Sequence, residues 1–255
     1  MRQERENVSK FVAEKVAEFF GQQNPFKIET EDGFVATLNS GFFKKIVEHP
    51  GDPVAILMSG TSESGKSHAG KLLLDRDLAH RIKILRIVRE LAEEGVVSSE
   101  LTREGQIDPN NVLEKLISEK DLKIGKVVLR LAEIIDQSDC RLAVVETIKH
   151  PAVIEAFRQS KGISVLSLFV DAELEERIKR EAKGKGQDPE SVRSSIETKD
   201  SEKDGFGNQG TREIADIRIL NNGATATYDA FLLQMAKEIG LLTGNTECGE
   251  AFFYG

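Results

Sequence analysis

Cysteine is nearly absent: Cys140 and Cys248 are the only two. They form no C-x-x-C pair, and no His/Cys cluster lies near them, so the simplest expectation is a cytoplasmic, reduced protein. The four histidines, His49, His68, His80 and His150, never pair at metal-ligand spacing, and no Ser/His/Asp set is evident. No apolar run reaches transmembrane length, and Met1-Arg2-Gln3-Glu4-Arg5-Glu6 is too polar for a secretory signal. Basic residues are short: 35 Lys and Arg against 43 Asp and Glu, for a net charge of −8. A general nucleic-acid binder needs a basic footprint, so neither nucleic acid nor membrane is an expected partner. There is no internal repeat and no low-complexity tract. The kinase signatures H-R-D and D-F-G are missing. Thr198-Lys199-Asp200-Ser201 is the nearest approach to the guanine-reading N-K-x-D loop, and it lacks the asparagine and the final aspartate.

What is present centres on residues 54–67. Val54-Ala55-Ile56-Leu57-Met58-Ser59 is an apolar run of strand length. Gly60-Thr61-Ser62-Glu63-Ser64-Gly65-Lys66-Ser67 then fits G-x-x-x-x-G-K-[ST] without a mismatch, and Ala69, Leu72, Leu73 and Leu74 start a helix. Strand, glycine turn and helix N-terminus together form a phosphate cradle, because successive backbone N–H groups and the positive helix end converge on an anion. Lys66 would reach the β- and γ-phosphates, and the Ser67 hydroxyl would hold Mg²⁺. These eight residues with the adjoining His68 form the candidate nucleotide site. The structural alternative is a plain glycine turn.

The 255 residues, 39% apolar, suffice for one large α/β domain or a core domain with a small appendage. Residues 5–20 place Val8, Phe11, Val12, Val16, Phe19 and Phe20 on one helical face. Phe26–Thr30 and Phe34–Leu38 alternate around Glu31-Asp32-Gly33 as a hairpin. This extension, residues 1–50, either packs on the nucleotide domain or offers a dimer or partner surface. A hinge-like linker, His49 to Pro53, follows. Ile82–Leu85 reads as strand or helix. Helices are expected from Pro109, through Val112, Leu113, Leu116 and Ile117, and again over Ile124–Ile135. Strands follow at Leu142–Val145, Ile163–Val170 and Asp216–Leu220, with helices from Pro151, Leu174 and Tyr228. Residues 181–212 are polar and glycine-dotted, the composition of a mobile segment. The tail from Thr243 is loop-like and carries Phe252, Phe253 and Tyr254. Strands alternating with helices imply a three-layer αβα fold around a parallel sheet, with ligands beyond the carboxyl ends of the strands.

At those ends stand the other candidates. Glu146 closes an apolar strand, where a carboxylate can orient the Mg²⁺ shell or accept a substrate proton. Lys149 lies on the same rim. Arg177 and Arg180 are one helical turn apart, as are Arg86 and Arg89, and paired arginines can neutralise a transferring phosphoryl group or grip an acceptor. Each of these also reads as an ordinary solvated charge.

In order, these segments resemble the nucleoside monophosphate kinase-like branch of P-loop kinases, in particular adenylate-kinase-like and dephospho-CoA-kinase-like proteins. A D-G-I-R-x-P-x-E stretch is matched by Glu146-Thr147-Ile148-Lys149-His150-Pro151 with Ile154-Glu155-Ala156-Phe157-Arg158. The arginine-bearing helix is Leu174 to Arg180, the lid motif Lys199-Asp200 with Glu202, and the closing turn Asn221-Asn222-Gly223. The resemblance spans roughly residues 54–240. It implies a five-stranded parallel core in a kinase-like domain over 51–242, with an acceptor-binding insert near 80–138, a lid near 181–212 and a tail at 243–255. It also implies ATP with Mg²⁺, γ-phosphoryl transfer to a small acceptor, lid-side roles for Arg177 and Arg180, and an acceptor role for Arg89 within Val88-Arg89-Glu90-Leu91-Ala92. Lys149 would meet the acceptor, and the Asn222-Gly223 turn would lie near the adenine. Three departures stand out: glutamate replaces the strand-end aspartate, lysine replaces its partner arginine and cannot form a planar two-point clamp, and Thr147 replaces glycine. A regulator or scaffold that binds ATP without phosphotransfer is the rival reading. A homodimer through the N-terminal extension is also expected as an option.

Overall fold

The computed structural model describes residues 2–22, 24–49, 51–96, 107–109, 112–113, 122–138 and 140–244. Leu116, Ile117, Pro50, Cys248 and the aromatic tail residues lie outside them. In chain order the elements are α1 (Arg2–Gln22), β1 (Phe26–Glu29), β2 (Phe34–Leu38), α2 (Gly41–Glu48), β3 (Val54–Gly60), α3 (Lys66–Asp75) and β4 (His80–Lys83). Then come α4 (Ile84–Glu93), α5 (Leu122–Asp136), β5 (Leu142–Glu146), α6 (Pro151–Gln159), β6 (Ser164–Asp171) and α7 (Leu174–Lys185). Finally there are α8 (Pro189–Gly205), α9 (Asn208–Glu213), β7 (Ile217–Asn221) and α10 (Thr225–Thr243). The ambiguous stretch at Ile82 is both: the strand ends at Lys83 and a helix begins at Ile84.

One sheet runs through the molecule in the order β1-β2-β7-β6-β3-β5-β4. Its five strands β7, β6, β3, β5 and β4 are parallel, as expected. The hairpin β1–β2 joins antiparallel at the β7 edge, with Val35 opposite Leu220, so the sheet has seven strands rather than five.

All seven residues of β3 are buried, because helices cover both faces of the centre. Alternation divides its side chains between two cores. Val54, Ile56 and Met58 face a core with residues of α1, α2, α3 and α10; Ala55 and Leu57 face one with residues of α4, α5 and α6. On the first side Phe19, Phe20, Phe42 and Phe43 pack ring against ring, Phe42 and Phe43 stacked at 4.2 Å. Each buried phenylalanine contributes on the order of 2 kcal/mol from apolar surface removed from water. Val12, Val16, Phe19 and Phe20 of α1 are thus spent inside the molecule, while Phe11 is exposed.

Residues 181–212, the polar and glycine-dotted stretch, are helical for most of their length. Asp188 caps α8 by accepting from Ser191 N–H at 3.0 Å, and Pro189 takes the first turn. Val192 and Ile196 of α8 then pack on Ile178 and Ala182 of α7 as a small separate core. A correction concerns thiols: Cys140 is disulfide-bonded. No described helix is long and apolar enough to cross a membrane.

Candidate functional site

The loop between β3 and α3 is shaped by two glycines. Gly60 has φ 131°, and a Cβ there would stand 1.9 Å from the Val170 carbonyl oxygen. Gly65 has φ 110°, and its Cβ would stand 2.8 Å from Asn221 Nδ2. No L side chain combines those backbone angles with that space. Neighbouring strands fasten the turn. Thr61 N–H donates to Val170 O at 3.2 Å, Thr61 Oγ1 to Asp171 at 2.9 Å, and Asn221 Nδ2 to Ser64 O at 2.9 Å. The loop therefore hangs at the carboxyl ends of β3, β6 and β7. The first N–H groups of α3, those of Lys66 and Ser67, have no partner within the helix and open onto the site.

A cavity of about 440 Å³ lies in front of the loop. Of the residues expected at the site, Gly60, Ser62, Glu63, Ser64, Gly65, Lys66, Ser67, His68, Lys149 and Arg180 line it. Thr61 does not, since its side chain is turned to Asp171. Lys66 Nζ lies against Thr61 O and 3.2 Å from Ser64 Oγ. Burial pushes its amine down to about 7, and the positive charges of Lys203 and Arg177 add to this against Asp200 and Glu63. An anion brought beside this amine would raise that value again.

The roof comes from α7 and α8. Asp200 Oδ1 accepts from Ser62 N–H at 2.7 Å, while its other oxygen pairs with Arg177. Arg177 also donates to Ser62 O at 3.1 Å. Burial raises the Asp200 carboxyl, but hydrogen bonds from Ser62 and Arg177 prevail and hold it below its usual value. Lys203 donates to Ser62 Oγ at 2.7 Å, and burial pushes its amine down to about 8. Arg180 Nη2 donates to Gly223 O at 3.2 Å. Arg177 is thus placed as a buried brace between roof and loop, and Arg180 faces the cavity.

Three candidates stand elsewhere. Glu146 is 2% exposed and does not line the cavity. Arg81 holds it at two points, Nε to Oε1 at 2.6 Å and Nη2 to Oε2 at 3.1 Å. Gly70 makes room for that carboxylate, since a Cβ there would meet Oε1 at 1.9 Å. Arg89 is exposed on α4, outside the cavity lining. Asn222 Oδ1 accepts from Glu173 N–H at 2.8 Å, and the hairpin-turn residue Asp32 accepts from Ala224 N–H at 2.8 Å, so the turn at Gly223 is fixed from both sides.

Asp200, Lys203 and Arg81 were not read as site residues from the sequence. Only the Lys199-Asp200 fragment of the lid motif pointed toward the first. Thr147 proves to have φ 71°, the left-handed backbone that a glycine would supply there. For a β-branched residue that costs about 1–3 kcal/mol.

The fold is a P-loop αβα fold. No family model matches the chain, and no curated protein does. Among solved structures it is similar to TT1252 from Thermus thermophilus, at 20% identity and a TM-score of 0.46, covering 73% of this chain and 98% of that one. A dephospho-CoA kinase from Campylobacter jejuni matches at 15% identity and 0.38, covering 72% and 96%. The tunicamycin resistance protein of Deinococcus radiodurans matches at 17% and 0.44, covering 78% and 99%. At these values the likeness carries nothing about activity or substrate, and the assignment stands on the strand order and the loop geometry.

Proposed function

We propose that this chain is an ATP-dependent small-molecule kinase that transfers the γ-phosphoryl group to a nucleotide-like or other small acceptor. The observation that carries the reading is the Lys66 amine. It is buried in a glycine-shaped loop at the strand ends and roofed by a helix pair bearing Arg177, Arg180, Lys199 and Lys203. Phosphoryl transfer asks the protein mainly for positioning and charge neutralisation, and this set offers both. Lys66 and the loop N–H groups would hold the β- and γ-phosphates. Arg180 would close over the transferring group. Arg177 would keep the roof in register with Ser62. Lys149, on the cavity lining, would meet the acceptor, and Arg89 would serve only an acceptor long enough to reach α4. Asn222 would border the base through its backbone.

Among the described residues no three His, Cys, Asp or Glu side chains are grouped to hold a metal. That donor set suits Mg²⁺, which keeps several waters and is held by substrate phosphates plus one or two protein oxygens. Ser67, on the cavity lining, would be the protein ligand, whereas Glu146 is held by Arg81 away from that lining and does not fit as a second one. Mg²⁺ would supply charge neutralisation to the bound phosphates.

The test is ADP release from Mg-ATP against ribo- and deoxyribonucleoside monophosphates, dephospho-CoA and small alcohols, with Lys66→Ala as control. One acceptor should raise release far above the water background, and the control should lose about 10²–10³ of that rate while keeping its fold. Equal activity in the control sinks the reading. A second reading, ATP binding without transfer, is favoured by one observation: Glu146, the glutamate that ends β5, is already held by Arg81. A flat panel with tight ATP binding would select it.

A further inference from the structure

The part of the cavity lining that follows β5 and starts α9 has features that a triphosphate does not explain. Thr147 lines it in a left-handed backbone, which aims a β-branched side chain where a glycine would leave open space. Asn208, at the start of α9, also lines it and is 2% exposed, yet its Oδ1 has no hydrogen-bond partner among the described residues. A buried amide oxygen left unpaired is destabilising, and a ligand donor would remove that cost. Lys149 Nζ stands over the Phe206 ring, 5.1 Å from its centroid. Burial holds that amine below its ordinary value, although Glu202 and Asp108 pull it the other way. Lys203 is tied to the loop at Ser62, its charge felt there and its own amine lowered by burial and by Lys149. Along the lining, cationic side chains outnumber carboxylates five to three, in a chain of net charge −8. The local sign is thus reversed where a ligand would sit.

We propose that this part of the lining is a second subsite for a small phosphorylated alcohol. Its anionic group would lie between Lys149 and Lys203, its carbon skeleton against Ile148 and Phe206, and a hydroxyl would donate to Asn208 Oδ1. The proposal rests on the kinase reading for the identity of the neighbouring nucleotide site. The cavity volume, shared with a polyphosphate, limits this ligand to a few carbons. Lysines suit it because an ammonium meets a phosphate as a point charge and needs no planar register.

Calorimetric titration of the full chain tests it. A non-hydrolysable ATP analogue with Mg²⁺ is titrated first. Glycerol 3-phosphate and inorganic phosphate are then titrated with the analogue saturating. Glycerol 3-phosphate is expected to bind on top of the analogue, about tenfold more tightly than inorganic phosphate. Lys149→Met should weaken glycerol 3-phosphate by about tenfold and the analogue by less than about threefold. Asn208→Leu should erase the margin over inorganic phosphate, and Asn208→Ala serves if the larger side chain disturbs α9. No binding of glycerol 3-phosphate by about 20 mM, equal losses for both ligands in Lys149→Met, or a margin that survives both Asn208 variants would each overturn the proposal. If the analogue itself fails to bind, the kinase reading falls, and the subsite is judged by the same titrations without it.

Discussion

The two walls of the cavity are built on different principles. The loop wall is held by the backbone: Gly60 and Gly65 in left-handed geometry, strand carbonyls as partners, and β3 buried along its whole length. The roof is held by side chains. Asp200, Arg177 and Lys203 pin α8 to Ser62, and its own core is only four buried residues with Leu174 packed beside them. A wall fastened by backbone and sheet shares the stability of the whole domain. A wall fastened by a few charges over a small core can open by itself. That difference lets the roof move while the loop stays fixed.

The comparison can be broken most forcefully at Gly60. Gly60→Ala places a methyl against Val170 O at the centre of the sheet, and the expected loss is about 4 kcal/mol of global stability. A urea melt reads it as a lower midpoint. An unchanged midpoint would mean that the loop is not locked to β6. Asp200→Ala is the matching change in the roof. It leaves the nearly buried Arg177 without its carboxylate, and amide exchange in α8 should speed up about thirtyfold, equivalent to about 2 kcal/mol of local opening. Exchange in β3 should stay as it was. If β3 and α8 loosen together, the two walls are one cooperative unit.

The smallest effect is in pH. Lys66 and Lys203 have folded-state values of about 7 and about 8, both below those of an unfolded lysine. Between those values and about 10.4 the unfolded chain binds more protons, so stability should rise with pH from about 7 to about 10. Below about 7 both amines are protonated in either state, and their burial cost is present in full. An anion that binds beside them raises both values. At pH 8 nucleotide binding should therefore take up protons, and affinity should fall as pH rises to 9. Titrations in buffers of different ionisation enthalpy would measure this, and proton release on binding would contradict it.

The loop wall was legible in the sequence because its information is local. A glycine at each end of a turn, an apolar strand before it and a helix after it lie within twenty residues. The parallel core was legible for the same reason, since Val54–Ser59, Leu142–Val145 and Ile163–Val170 are continuous apolar runs that only a two-faced sheet can bury. Of the roof, the helix carrying Arg177 and Arg180 was legible, but α8 was not, because it is polar on all but a narrow stripe and shows its apolar period only at Val192 and Ile196. Nor was α2, where Phe42, Phe43 and Ile46 needed Phe19 and Phe20 from another helix to become a core. Partners distant in sequence were hidden for a related reason. Nothing near Glu146 announces Arg81, and nothing near Ser62 announces Asp200, 138 residues away.

The hairpin turn that reaches the start of α10 has a kinetic consequence. Asp32 and Ala224, joined by one hydrogen bond, are 192 residues apart. β2 likewise pairs with β7, with Phe34 opposite Asn221. The edge of the sheet beside the Asn222-Gly223 turn therefore cannot be completed until almost the whole described chain has been made. The loop is tied in at the same late stage, because Asn221 also donates to Ser64 O, 157 residues away. Contacts of such long sequence separation form late and slowly, so the glycine loop and the Asn222-Gly223 turn should both gain their last fastenings late in folding.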